Sequence, residues 1–95
     1  MLTQDDKKNI MDKFASRIAG DYIRKQVRGA KNTQDAIKKA KHNGIGGWGT
    51  TGEMVMGDGK GINIKRYNGA ETNETITWKE FVDYIRSDTE QISMF

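Results

Sequence analysis

Basic side chains concentrated in one part of the chain are the residues best suited to chemistry with a partner. Residues 13–41 carry nine basic and two acidic side chains, a net charge of +7, whereas the whole 95-residue chain carries +3. Arginine binds phosphate with a forked geometry, and lysine acts as a point charge. We therefore predict a surface that binds a phosphate backbone without reading sequence. Its candidate residues are Arg17, Arg24, Lys25, Arg28, Lys31, Lys38, Lys39 and Lys41.

A glycine-rich stretch around Trp48 is the second region that invites a functional interpretation. Gly44, Gly46 and Gly49 match the spacing of a dinucleotide-binding loop, but that loop needs a strand before it and a helix after it. Here the predicted helix comes first and the predicted strand follows, which argues against a nucleotide cofactor. We predict a loop that reverses the chain, with Trp48 either packed in the core or presented as an anchor for a partner.

Residues that could support catalysis or hold a metal are sparse. The chain has no cysteine and a single histidine, His42, which removes thiol catalysis, disulfides and cysteine-based metal sites. Asp58, Glu71 and Glu74 could be imagined as ligands of a metal-dependent nuclease. Asp58 fits a turn better, and the other two are typical of surface charges. We therefore predict that the protein is not an enzyme and that it uses no metal or other cofactor.

Length and composition predict one domain over residues 1–95. We divide it into a basic helical part (1–43), a part with the glycine-rich loop, the sheet and a helix (44–87), and a tail (88–95). No apolar run is long enough to span a membrane, and no N-terminal segment has the pattern of a signal peptide. We therefore expect a cytoplasmic protein with no membrane partner.

Apolar residues recur at helical spacing in the first part of the chain. A helix capped by Thr3 is predicted over residues 4–19. Whether it runs on through Gly20 to Val27 is left open, since Ile23 and Val27 continue the spacing of its apolar stripe. That stripe has steps of four residues and consists of Ile10, Phe14, Ile18 and Tyr22. A second helix is predicted to begin at Asn32 or Thr33 and to run through Lys41.

Beyond the glycine-rich loop the apolar spacing changes to two, which is typical of strands. Three strands are predicted over residues 53–56, 61–67 and 74–77, joined by turns with hairpin signatures. The side chains predicted to face the core are Met54, Met56, Ile62, Ile64 and Ile76. Those predicted to face solvent are Asn63, Lys65, Tyr67 and Thr75.

The last helix is predicted to begin at a capping box, with Thr77 at the N-cap and Glu80 three residues later. It is expected to extend to about Ser87. The predicted fold is α+β: two N-terminal helices, a three-stranded antiparallel β-meander and a C-terminal helix. The helices cover one face of the sheet, and the other face meets solvent. An exposed sheet edge leaves a homodimer open.

Four short stretches of this sequence resemble a module found in proteins of Firmicutes plasmids, phages and conjugative elements. They are DYIRKQ (21–26), GIGGWGTT (44–51), GKGI (59–62) and ITWKE (76–80). Similar stretches occur in large multi-domain mobile-element proteins and at the N-terminus of several small anti-CRISPR proteins directed at type II (Cas9) systems. The resemblance implies a mobile-element protein that inhibits a host defence nuclease, by binding Cas9 or its guide RNA complex in the bacterial cytoplasm.

The charge distribution narrows this hypothesis. Inhibitors that imitate DNA are acidic, so the basic stretch favours contact with guide RNA, target DNA or an acidic surface of the nuclease, with Trp48 as an anchor. Two alternatives stay open. The first is an accessory protein of a phage or plasmid that binds nucleic acid without sequence specificity. The second is a protein-interaction module whose lysines form an ordinary solvated helix face.

Overall fold

The structure, a computed structural model, describes residues 2–17, 22–50 and 52–93. Within these ranges three helices come first, four consecutive strands follow, and a fourth helix comes after the last strand. The helices are α1 (Gln4–Arg17), α2 (Tyr22–Arg28), α3 (Thr33–Gly44) and α4 (Trp78–Ser93). The strands are β1 (Gly46–Thr50), β2 (Glu53–Gly57), β3 (Gly61–Tyr67) and β4 (Ala70–Thr77). This is an α+β fold, as predicted.

The prediction of two N-terminal helices is wrong, because the described residues form three helices before the sheet. In α2 the core is reached by Ile23 and Val27, which are 0% exposed, whereas Tyr22 is 49% exposed. The core face of α2 is therefore defined by Ile23 and Val27, and not by Tyr22, which continues the steps of four from α1. Ile18 and Gly20, on which the predicted continuation depends, lie outside the described residues.

Side-chain caps fix where α1 and α3 begin. The backbone N of Asp6 donates to Thr3 Oγ1 at 3.1 Å, and the backbone N of Thr3 donates to Asp6 Oδ2 at 3.0 Å. At α3 the backbone N of Asp35 donates to Asn32 Oδ1 at 2.9 Å. Each cap satisfies an amide that the first turn leaves without a partner. The predicted caps at Thr3 and Asn32 are confirmed.

Helix α4 begins where predicted and ends later. The backbone N of Glu80 donates to Thr77 Oγ1 at 3.2 Å, which confirms the N-cap. The predicted end at Ser87 is wrong, since α4 continues to Ser93. Neither proline nor glycine follows Ser87, so the sequence contains no residue that would stop the helix. No helix in the described part of the chain combines the length and the apolar character needed to cross a bilayer.

The sheet has four antiparallel strands in the order β1-β2-β3-β4, so the prediction of three strands is wrong. The additional strand, β1, comes from the glycine-rich stretch that is predicted to be a loop. It pairs with β2 in a regular register from Gly46 opposite Gly57 to Thr50 opposite Glu53. A Cβ on Gly47 would lie 2.9 Å from the Val55 carbonyl oxygen, so glycine there lets the two backbones lie close together.

The side chains of β2 face opposite to the prediction. Met54 and Met56 are 48% and 53% exposed, whereas Val55 between them is 1% exposed and lies opposite Ile64 in the sheet. Tyr67, predicted to face solvent, is 9% exposed. A bulge between Ile64 and Arg66 shifts the alternation by one residue, which turns Tyr67 inward. The remaining inward predictions for β3 and β4, Ile62, Ile64 and Ile76, are confirmed.

The core lies between the helices and one face of the sheet. Its centre is a group of three aromatic rings whose centroids lie about 6 Å apart, with tilted or edge-to-face orientations: Phe14, Trp78 and Phe81. All three side chains are at most 3% exposed. Such rings contribute large buried areas and specific packing geometry. They join α1 to the start of α4.

Two of the four stretches that carry the family resemblance, GIGGWGTT (44–51) and ITWKE (76–80), meet at one place, which we call the Gly44 joint (Gly44, Gly57, Asp58 and Trp78). A Cβ on Gly57 would contact the carbonyl oxygen of Gly44, and a Cβ on Gly44 would lie 2.5 Å from Cη2 of Trp78. The indole Nε1 of Trp78 donates to the Asp58 carbonyl at 2.7 Å. These motifs therefore fix how α3, the β2–β3 turn and α4 pack together.

Candidate nucleic-acid interface

Helices α2 and α3 carry most of the predicted basic residues, and their buried faces decide where those residues point. Ile23 and Val27 in α2 and Ala36 and Ala40 in α3 are all 0% exposed. In each pair the spacing of four residues puts one side of the helix in the core. The lysines between these positions therefore lie on the solvent side of both helices.

Two predicted binding residues are held by contacts within the chain. Arg24 donates to Asp12 at 3.0 Å and to Ser16 at 2.8 Å, and 16% of its side chain is exposed. Lys39 pairs with Asp35 at 3.1 Å across one turn of α3. Arg24 therefore connects α2 to α1. The charge of Arg24 is compensated by Asp12, and that of Lys39 by Asp35.

The other predicted residues fall into two groups. Four lysines are exposed, and their side chains form neither an ion pair nor a hydrogen bond with any described residue: Lys25, Lys31, Lys38 and Lys41. Arg28, at the end of α2, is exposed as well. The side chains of Arg17 and Trp48 lie outside the described part of the structure. The four lysines are thus the strongest candidates for contact with a polyanion.

An open groove of about 670 Å³ lies between α2 and α3. We call it the α2–α3 groove, and its main lining residues are Tyr22, Gln26, Lys38, Lys41, His42 and Ile45. Tyr22 is 49% exposed and Ile45 is 64% exposed, so each presents apolar surface to solvent. Residues three and four apart share one face of a helix, which places Lys38, Lys41 and His42 together on α3. The groove thus combines positive charge with aromatic and aliphatic surface.

Asp35 also lines the groove, and contacts within the chain neutralise its charge. Its carboxylate accepts a hydrogen bond from the backbone N of Lys31 at 3.1 Å and pairs with Lys39 at 3.1 Å. The backbone hydrogen bond first, and then the lysine, lower the pKa of Asp35 below its ordinary value of 3.8. Because Asp35 and Lys39 compensate each other, Lys38 and Lys41 supply the uncompensated charge of the groove.

The three carboxylates considered as metal ligands lie at separate positions, Asp58 in the turn between β2 and β3 and Glu71 and Glu74 on β4. Asp58 Oδ1 accepts a hydrogen bond from the backbone N of Lys60 at 2.8 Å, and this contact is the largest cause of the lowered pKa of Asp58. Glu74 accepts from the backbone N of Leu2 at 2.6 Å. Glu71 stands on β4. Among the residues that the structure describes, no group of three acidic or histidine side chains could hold a metal ion.

Tyr22, Gln26 and Ile45 line the groove but are not among the predicted binding residues. Tyr22 belongs to the apolar stripe predicted from steps of four along the chain, but its side chain is 49% exposed. The usable signal is the pair Ile23 and Val27, whose own spacing of four defines a core face without Tyr22. The sequence contains no comparable signal for Ile45.

Comparison with known proteins adds no family to this description. No protein-family model matches the chain, and no curated protein and no solved structure matches it. The resemblance to the mobile-element module therefore depends on the four short stretches of sequence. Since two of them meet at the Gly44 joint, they carry information about packing, and the residues of α2 and α3 carry the functional argument.

Proposed function

We propose that this protein inhibits a nuclease of the Cas9 class by binding the Cas9–guide RNA complex through the exposed faces of α2 and α3. One observation carries the proposal: Lys25, Lys31, Lys38 and Lys41 are exposed, and their side chains form no ion pair or hydrogen bond with any described residue. A complex that contains RNA offers phosphate groups to such a surface. The sequence resemblance supplies the class of nuclease and the setting, the cytoplasm of a bacterial host.

Binding without catalysis agrees with the rigidity of this surface. Arg24 ties α2 to Asp12 of α1, and Gly44 at the end of α3 is packed against Trp78. Lys25, Lys38 and Lys41 therefore stand on two helices whose positions are fixed by the core, and Lys31 lies in the segment between them. Fixed positions suit a surface that must match a partner. In this role the protein acts stoichiometrically, one copy for each complex that it blocks.

Size-exclusion chromatography with light scattering tests the proposal directly. The protein is run at physiological salt alone, with guide RNA, with Cas9, and with the Cas9–guide complex. We expect co-elution with the Cas9–guide complex and reduced cleavage of target DNA at a several-fold molar excess. Cleavage that stays undiminished, together with no co-elution in any arm containing Cas9, would refute the inhibitor function.

A pair of charge variants tests whether the α2–α3 surface makes the contact. Lys38→Gln/Lys41→Gln removes two charges from the groove, and Lys8→Gln/Lys65→Gln removes two exposed charges from α1 and β3. At about 0.7 kcal/mol for each exposed ion contact, the groove variant should bind the complex about tenfold more weakly. The control should bind like the unmodified protein. Equal losses would mean that net charge, not this surface, drives binding.

A second candidate function is that of a nucleic-acid-binding accessory protein of a phage or plasmid. The same four lysines favour it, because phosphate binding needs no partner protein. The salt dependence of RNA binding identifies this case, since each lysine–phosphate contact adds about one unit to the slope of log K against log salt. Binding of RNA alone as tightly as the Cas9–guide complex, with a steep salt slope, would favour this second function.

A further inference from the structure

We propose that the α2–α3 groove binds one unpaired nucleotide of a nucleic-acid strand, with its base against the ring of Tyr22 and its phosphate between Lys38 and Lys41. The inference deepens the proposed function and rests on it, because guide RNA contains unpaired nucleotides in loops and ends. It specifies which part of the nucleic acid the groove accepts and which side chain selects it.

The ring of Tyr22 is the feature that selects a base. It is 49% exposed, whereas its neighbour Ile23 is 0% exposed, so α2 reaches the core without using Tyr22. Ile45, 64% exposed, adds apolar surface in the same groove. Unstacked bases bind to aromatic side chains through their π-faces. The bases of a duplex are already stacked on one another, so only an unpaired base can lie on this ring.

The cationic side of the groove fits one phosphate group. Lys38 and Lys41 lie three residues apart on α3, and His42 lies four residues from Lys38, so all three share a face of the helix. The nearby carboxylate of Asp35 is already paired with Lys39, and it leaves the other two lysines uncompensated. A phosphate group between Lys38 and Lys41 would supply the missing negative charge.

Gln26 adds hydrogen-bonding capacity beside the aromatic ring. It lies one helical turn after Tyr22 and lines the same groove, and its side chain forms no hydrogen bond with any described residue. A glutamine amide offers donors and an acceptor, which suits the polar edge of a base. The volume of about 670 Å³ lies in the range of pockets that hold small molecules and is suited to one nucleotide.

Fluorescence anisotropy with three labelled probes tests the inference: an unstructured RNA of about 12 nucleotides, a DNA of the same sequence, and a blunt-ended RNA duplex of that sequence. We expect Tyr22→Ala to weaken binding of the single strands by about 5- to 150-fold and to leave duplex binding and the salt slope unchanged. Tyr22→Phe should bind like the unmodified protein, because it keeps the ring. Similar affinities for RNA and DNA would show that the groove does not use the ribose 2′-hydroxyl.

A second measurement reports stacking without relying on the loss of affinity. The fluorescent base 2-aminopurine, placed in the single strand, should be quenched by the unmodified protein and by Tyr22→Phe, and not by Tyr22→Ala at saturating protein. Circular dichroism of each variant checks that it is folded. Unquenched fluorescence with the unmodified protein would overturn the assignment of a stacked base.

The outcomes separate this inference from the proposed function. If Lys38→Gln/Lys41→Gln weakens binding to every probe and Tyr22→Ala weakens none, the phosphate surface stands and base stacking is refuted. If the protein inhibits Cas9 but binds none of the probes, the inhibitor function stands and the groove does not bind a nucleotide, which would favour an acidic protein surface as its ligand. If the protein neither binds the probes nor co-elutes with the Cas9–guide complex, both proposals are refuted.

Discussion

The substitution Gly44→Ala tests the packing at the centre of the fold. A Cβ at this position would lie 2.5 Å from Cη2 and 3.0 Å from Cζ3 of Trp78, and 3.2 Å from Cε1 of Phe14. Non-bonded carbon atoms prefer separations of about 3.5–4.0 Å. One of the two rings, or the end of α3, must therefore move to admit a single methyl group.

The expected cost follows from two opposing effects. Overpacking a core costs about 1–3 kcal/mol, and alanine gains at most about 1 kcal/mol over glycine in a helix. With the middle of each range, about 2 and about 0.5 kcal/mol, the net loss in the free energy of unfolding is about 1–2 kcal/mol. In a domain of this size about 1 kcal/mol corresponds to about 4–8 °C, so Gly44→Ala should lower Tm by about 4–16 °C.

Thermal unfolding followed by circular dichroism measures the effect, and Gly59→Ala provides a matched control. A Cβ on Gly59 would lie 3.7 Å from the nearest atom, Cε of Lys41, which is an ordinary contact. The control should therefore melt close to the unmodified protein. If Gly44→Ala melts at or above the temperature of Gly59→Ala, the packing argument is wrong.

A double-mutant cycle assigns the effect to the indole ring. Trp78→Phe removes Cη2 and Cζ3, the two atoms closest to the added methyl group, and leaves the Asp58 carbonyl without the donor that now lies 2.7 Å away. This variant is less stable by itself, but Gly44→Ala should cost less in its background. Additive effects, within about 0.5 kcal/mol, would show that Trp78 is not the obstacle.

Two further predictions concern α3 and the pH dependence of stability. Asn32→Ala removes the cap of α3 and should lower the free energy of unfolding by about 0.5–2 kcal/mol in denaturant titrations, whereas an unchanged midpoint would mean that the cap contributes nothing. The pKa values of Asp35 and Asp58 lie below 3.8 in the folded chain. The ionised carboxylates therefore stabilise the folded chain above that pH, and this stabilisation is lost as the pH falls below it. Tm should therefore fall between about pH 4 and about pH 2, and a Tm that rises over this range would contradict the sign.

Local interactions are the part of the fold that the sequence predicts well. The caps at Thr3, Asn32 and Thr77 and the turn at Asp58 form between residues two or three apart, so the residue types alone define them. Such contacts need no information about the rest of the chain. For this reason the starts of α1, α3 and α4 and the turn between β2 and β3 could be predicted.

Features that depend on pairing between elements could not be predicted in the same way. Alternation in β2 gives a period of two but does not show which side of the strand faces the core. In the structure Val55 pairs with Ile64 of β3 and faces the core, whereas Met54 and Met56 face solvent. The strand β1 is a similar case, because its glycines have low strand propensity and the pairing with β2 overrides it.

The candidate site shows the same division. Charge counting predicts the lysines of α2 and α3, since exposed basic residues need no tertiary information. It does not distinguish Arg24, which is held by Asp12 of α1, from Lys38, which has no such partner among the described residues. Likewise the exposure of Tyr22 depends on how α2 rotates against the core. The sequence therefore indicates that the surface is basic, and the packing decides which of its basic side chains are exposed and not held by a contact within the chain.

The Gly44 joint has a consequence for the speed of binding. Ile45 of the α2–α3 groove directly follows Gly44, and the backbone of α3 is fixed there against Gly57 and Trp78. A partner therefore meets a groove that is already formed, so no slow rearrangement precedes the complex. If the groove binds nucleic acid as proposed, we expect association to be limited by diffusion and steered by the lysines, so that kon falls as salt rises. Contacts with Tyr22 are short-range, so we expect a substitution of Tyr22 to change mainly koff. Its effect on affinity should therefore be seen as a change in the residence time of the complex.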